Sequence, residues 1–97
     1  MDKFYYKNKL MGIRITKIQK GSTPLTKGKE PVQLVTLKHP TGAYLQSHMH
    51  RPKKRVTSKL QEVMVIKKGK VRIDLYGTDK KKFKYIILKV GQAFISM

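Results

Sequence analysis

Short runs of alternating apolar and polar residues recur along the chain and decide its fold class. In residues 71–76, Val71, Ile73 and Leu75 alternate with more polar residues, which is the period of a strand with one buried face. Similar alternating or β-branched runs occupy residues 12–20, 31–40, 43–50, 60–66 and 83–90. Glycine, proline and charged clusters separate the runs, and no window favours a long amphipathic helix. The sequence therefore predicts an all-β fold, either a sandwich or a barrel.

The length of 97 residues predicts a single small domain, and a hydrophobic content of 39% is enough for one modest core. We expect residues 1–31 to form the N-terminal strand or strands and a long loop over residues 21–31. Residues 32–97 would then form the core of the barrel. Cysteine is absent, which excludes disulfides and thiolate metal sites. No apolar run reaches the length of a signal peptide or membrane span, so we expect a cytoplasmic protein without a membrane partner.

The formal net charge of +18 raises the hypothesis of a nucleic-acid partner. In that alternative the chain is a basic β-barrel that binds nucleic acid or another polyanion, with Phe4, Tyr5 and Tyr6 beside Lys3 and Lys7 as a stacking platform. Lysine outnumbers arginine 19 to 4, whereas arginine is preferred for bidentate phosphate and base recognition. The lysines are also dispersed along the chain, so a solvated lysine-rich face explains the charge more simply.

Two of the three histidines stand in a His-x-His pair. On a strand over residues 43–50, His48 and His50 would project from one face together with Tyr44 and Gln46. Two imidazoles placed in this way can hold one cation if a neighbouring strand supplies a third ligand. The simpler alternative is a pair of ordinary histidines without a ligand.

One carboxylate, Glu62, stands in an otherwise apolar run. The alternation of residues 60–66 predicts that it shares a face with Leu60, Met64 and Ile66. A lone carboxylate buried there would be costly unless it bound a metal, a cation or a histidine. Alternatively, Glu62 faces solvent at a strand edge, opposite Lys59 or Arg55.

The order of these residues resembles the first motif of the cupin superfamily. Gly42 is followed by five residues, then His48 and His50 in His-x-His, then Glu62, six residues and Gly69. The gap between His50 and Glu62 is eleven residues, longer than is usual in the motif. The sequence around Gly91 resembles the opening of the second cupin motif, but the chain ends before that motif's histidine. Three alternatives follow: the chain is a fragment, the site uses three ligands, or no metal is bound. We also expect a barrel open at its C-terminal end with an exposed edge at residues 93–97.

The resemblance implies a jelly-roll β-barrel that forms a homodimer and binds a divalent metal (Fe, Mn, Ni or Zn) through His48, His50 and Glu62. It also implies a small-molecule substrate, similar to a sugar or a hydroxy acid, as in cupins of surface-polysaccharide metabolism. On this hypothesis Tyr44 and Gln46 orient the substrate.

Two further points depend on the same resemblance. Arg55 and Lys59, in the long gap of the motif, are candidates to bind a substrate phosphate or carboxylate. A metal-free alternative is a sugar isomerase or epimerase in which a histidine acts as general acid or base, with Tyr44, His48 and Glu62 as the catalytic candidates.

Overall fold

The computed structural model describes all residues, 1–97, and contains eight strands and no helix. The strands are β1 Asp2–Tyr6, β2 Lys9–Ile15, β3 Gly21–Pro24, β4 Val35–Lys38, β5 Glu62–Val65, β6 Val71–Tyr76, β7 Lys82–Leu88 and β8 Ala93–Ser96. The prediction of an all-β fold is confirmed. None of the chain forms a helix of the length and hydrophobicity needed to cross a membrane.

The strands form three separate antiparallel sheets, and none of the sheets closes into a barrel. One sheet has four strands in the order β1-β2-β8-β5, and the other two are the hairpins β3-β4 and β6-β7. The alternation predicted for residues 71–76 is present in β6, where Leu75 is buried and Val71 and Ile73 are half-buried. Its partner β7 buries Ile86 and Leu88 in the same way.

The expected exposed edge at residues 93–97 is wrong, because β8 is an interior strand. Ile95 pairs with Ile13 of β2 on one side and with Val63 of β5 on the other. Phe94 and Ile95 are 4% and 0% exposed, so β8 carries apolar side chains that gain most from a central position. The edges of the four-stranded sheet are instead β1 and β5.

The chain forms two compact units, Met1–Lys17 with Leu60–Met97, and Ile18–Lys59. The expected boundary near residue 31 therefore falls inside the second unit. The core lies in the first unit, where buried side chains of both the four-stranded sheet and the β6-β7 hairpin meet: Phe4, Ile66, Leu75, Ile86, Leu88 and Phe94.

The second unit contains the β3-β4 hairpin, although residues 21–31 were expected to form a loop. Thr23 pairs with Thr36, and Pro24, which has no N–H to donate, lies at the end of β3. The hairpin continues beyond the strands, since the N–H of Leu25 donates to the carbonyl of Leu34 at 2.8 Å. No residue of Ile18–Lys59 is buried, so turns and pairing rather than a core define this unit.

Candidate functional site

Residues 43–59, here called the histidine segment, form no strand, so the strand predicted over residues 43–50 is wrong. Every residue of the segment is exposed, and none of them pairs with a strand. A strand requires a hydrogen-bonding neighbour and gains stability from a buried face, and this segment has neither. The period-two argument for a common face of His48 and His50 therefore does not apply.

The two imidazole rings are nevertheless neighbours. The centroids of His48 and His50 lie 4.9 Å apart, with an edge-on angle of 66° between the rings. Two imidazoles bound to one metal at about 2.0–2.1 Å have centroids roughly 4.5–5.2 Å apart for ligand angles near 90–109°. The spacing of the two rings therefore fits a shared cation.

One ring nitrogen of His48 lies near a backbone oxygen. Its Nδ1 lies 3.4 Å from the carbonyl oxygen of Gln46, which can only accept a hydrogen bond. A proton on Nδ1 would make this contact a hydrogen bond and would leave Nε2 as the nitrogen that can bind a metal. Gln46 thus acts through its backbone, whereas Tyr44 is 83% exposed.

Glu62 lies in the first unit, while the two histidines lie in the second. It is the first residue of the edge strand β5 and is exposed, so it is not a carboxylate buried on an apolar face. Of the three apolar residues expected beside it, Leu60 is 83% and Met64 43% exposed, and only Ile66 is buried. The edge position of β5 explains this exposure and agrees with the alternative that Glu62 faces solvent. Its backbone N–H donates to Oγ of Ser96 at 3.1 Å.

The cations of the histidine segment contact a carboxylate that sequence reasoning did not assign. Nζ of Lys59 lies 3.3 Å from both carboxylate oxygens of Glu30, and Nη1 of Arg55 donates to the Glu30 carbonyl at 3.4 Å. Glu30 is the only carboxylate between residues 3 and 61, which is the signal that could have identified it. Lys59 therefore forms an ion pair with the Glu30 carboxylate, whereas the guanidinium of Arg55 contacts the backbone carbonyl of Glu30.

Arg55 also lines a small cationic cavity of about 240 Å³, together with Gly28, Lys29, Lys53 and Val56. Three positive side chains converge on it from two parts of the second unit, residues 28–29 and 53–56. Such a set can bind a carboxylate or a phosphate, because opposite charges and N–H donors face the same volume.

The stacking platform expected at Phe4, Tyr5 and Tyr6 is not formed on the surface. Phe4 is only 6% exposed and belongs to the core, because alternate residues of β1 face inward. The ring of Tyr6 packs against Phe83 with centroids 5.2 Å apart and is half-buried, whereas Tyr5 is exposed.

Neither unit gathers three or more His, Asp or Glu side chains that could hold a metal. Comparison with protein-family models, with curated proteins and with solved structures gives no match for this chain. The resemblance to cupins therefore depends on the motif residues and on the pair of histidines.

Proposed function

We propose that this chain is a cupin-type metal-binding protein in which His48 and His50 bind one divalent cation. The observation that carries the proposal is the 4.9 Å spacing of the two ring centroids, which suits two nitrogens on one metal. The 3.4 Å contact between His48 Nδ1 and the Gln46 carbonyl agrees with it, because a proton on Nδ1 would leave Nε2 to bind the metal.

Fe, Mn, Ni and Zn all accept a set of two histidines and one carboxylate with open positions. The metal would supply a Lewis acid or an anchor for a chelating substrate. We propose a small substrate similar to a sugar or a hydroxy acid. Its carboxylate or phosphate would bind at the cavity formed by Lys29, Lys53 and Arg55.

An isothermal calorimetric titration of the purified protein with Zn²⁺ or Ni²⁺ tests the metal site. His48→Ala and His50→Ala should each weaken binding by at least roughly 10–100-fold, since even the loss of contacts around a ligand has that effect. His39→Ala is the matched control. His39 belongs to the same unit, and its Nε2 lies 3.0 Å from Oγ of Ser22 in the β3-β4 hairpin.

Glu62→Gln separately tests the ligand role that the cupin resemblance implies for this residue, because it removes a carboxylate charge and leaves both histidines in place. If His39→Ala weakens binding as much as His48→Ala, the metal binds histidines indiscriminately and the proposal is wrong. The metal-free alternative differs from the metal proposal in how substrate binding responds to removal of the metal. Binding or turnover of a sugar or hydroxy acid would survive a strong chelator and would depend on His48 or His50 as the acid or base.

A further inference from the structure

The β6-β7 hairpin of the first unit has one face on the core and one largely exposed face. Its inward side chains include Leu75, Ile86 and Leu88, which are all buried. Successive residues of a strand face opposite ways, so the residues between them project from the other side. This second face, here called the outer hairpin face, consists of Arg72, Asp74 and Tyr76 of β6 with Lys82, Tyr85 and Ile87 of β7.

The register of the hairpin brings these side chains to one face. Its direct pairs there are Arg72 with Ile87, Asp74 with Tyr85, and Tyr76 with Lys82. Directly paired residues of two antiparallel strands point to the same side of the sheet. A shift of register between Leu75 and Tyr76 places Lys82, rather than Phe83, opposite Tyr76. Phe83 instead packs against the core.

Two tyrosines are neighbours in the middle of the outer hairpin face. Tyr85 lies opposite Asp74, and Tyr76 follows Asp74 by two residues on the same strand, so the two tyrosines are diagonal neighbours. Tyr76 is 53% and Tyr85 55% exposed. Exposed aromatic rings on a sheet face form a platform on which unpaired bases stack, and such stacking tolerates different bases.

An arginine is fixed against one of the two rings. Cζ of Arg72 lies 4.3 Å from the ring centroid of Tyr85, and its Nε donates to Oδ1 of Asp74 at 2.9 Å. The carboxylate thus holds the guanidinium in place and is itself neutralised by it. A guanidinium that stacks on an aromatic ring is well suited to contact a phosphate beside a stacked base.

Uncompensated cations lie beside the two tyrosines. Lys82 belongs to the outer hairpin face, and Lys70 and Lys89 stand one residue beyond its last strand pair. All three lysines are exposed, and none of them forms an ion pair with a carboxylate. Their positive charge complements a phosphodiester backbone that passes over the tyrosines.

We propose that the outer hairpin face binds single-stranded nucleic acid. Bases would stack on Tyr76 and Tyr85, and phosphates would contact Arg72 and Lys82. These four side chains project from one face, so one strand can contact all of them. The chemistry that is recognised, unpaired bases on a phosphodiester backbone, is common to RNA and DNA. The face shares no residue with the metal site, so its failure leaves the metal proposal untouched.

Fluorescence anisotropy with labelled RNA and DNA strands of about ten nucleotides tests the proposal. Tyr76→Ala and Tyr85→Ala should each weaken binding roughly 5–150-fold, the usual effect of losing one stacked base. Tyr85→Phe keeps the ring and should keep the affinity. Tyr5→Ala is the matched control and should leave the affinity nearly unchanged, because Tyr5 is 54% exposed but lies on β1.

The salt dependence of binding tests the phosphate contacts separately. Lys82→Gln should weaken binding and lower the slope of log affinity against log salt concentration by about one. Lys9→Gln removes the same charge from an exposed position on β2, outside the outer hairpin face, and should leave that slope unchanged.

Equal weakening by Tyr5→Ala and Tyr85→Ala would overturn the proposal. So would equal affinity for a strand and for the duplex of the same sequence, because paired bases cannot stack on the tyrosines and the charge of the whole chain would then explain binding. Absence of binding to both strands at low salt would also refute it. Binding of either strand in preference to the duplex supports the proposal, and the relative affinities for RNA and DNA distinguish the two sources. Circular dichroism is used to confirm that each variant, changed at an exposed position, keeps its fold.

Discussion

The phenolic hydroxyl of Tyr6 donates a hydrogen bond of 2.9 Å to Oδ2 of Asp79, 73 residues further along the chain. Oδ1 of the same carboxylate accepts the backbone N–H of Lys81 at 3.0 Å, so Asp79 also organises the β6-β7 turn. The pair thereby connects edge strand β1 to the second hairpin of the first unit. The hydrogen bond to the carboxylate, with smaller contributions from desolvation and from the negative charge, raises the pKa of Tyr6 above its usual value.

This contact predicts a pH-dependent contribution to stability. Because the pKa of Tyr6 is higher in the folded than in the unfolded protein, the folded state holds the proton more tightly. The stabilisation is complete below the unfolded pKa of 10.0 and is lost as pH rises through the folded pKa. The difference in unfolding free energy between the unmodified protein and Tyr6→Phe should therefore shrink above pH 10, as measured by denaturant titration.

Asp79→Asn provides the control, because it keeps the shape of the side chain and removes its charge. In a spectrophotometric titration of the five tyrosines, one of them should ionise at a lower pH in this variant. A stability difference for Tyr6→Phe that stays constant across the alkaline range would contradict the predicted linkage.

A second prediction concerns the contact between Gly12 and Phe94. A Cβ added at Gly12 would overlap the Phe94 ring and would lie 3.1 Å from the carbonyl oxygen of Ile95. Phe94 is 4% exposed and packs against Phe4, so it has little room to move. Gly12→Ala should lower the unfolding free energy by about 1–3 kcal/mol, the usual cost of overpacking.

Gly28→Ala is the matched control for that substitution. Nothing lies within 4 Å of a Cβ added at Gly28, which has no left-handed backbone conformation. Its effect should stay within about 0.5 kcal/mol. Thermal unfolding of both variants tests this prediction. Equal unfolding midpoints would mean that the Phe94 ring can move aside without loss of stability.

Local alternation was sufficient to predict β6, because the residues that set its buried face are adjacent in sequence. Val71, Ile73 and Leu75 face inward, and the partner strand follows after a short turn. Local alternation does not indicate which distant segments pair with one another in a sheet. Residues 93–96 form an interior strand because β2 and β5 both pair with them, and nothing within the segment itself encodes these two partners.

The same limit explains the errors at the candidate site. Residues 43–50 have strand-like alternation but no strand partner, and alternation alone does not satisfy the backbone hydrogen bonds. Glu62 is exposed because β5 lies at a sheet edge, which depends on tertiary pairing. His48 and His50 lie close together although no strand forms, so the period-two argument did not supply the reason for their proximity.

The edge strand β5 is where we expect a second copy of the chain to pair in the homodimer that the cupin resemblance implies. Its apolar side chains are open to solvent, with Val63 41%, Met64 43% and Val65 57% exposed, and β8 occupies only one side of the strand. Such an edge offers unpaired backbone groups as well as apolar area.

Val65→Lys should therefore shift the protein toward monomer in concentration-dependent light scattering, because a charged edge opposes strand pairing. Val90→Lys is the matched control, since Val90 is 59% exposed but lies in the β7-β8 turn. If both lysine variants dissociate the protein equally, added charge is the cause, and a chain that is monomeric at every concentration refutes pairing along β5.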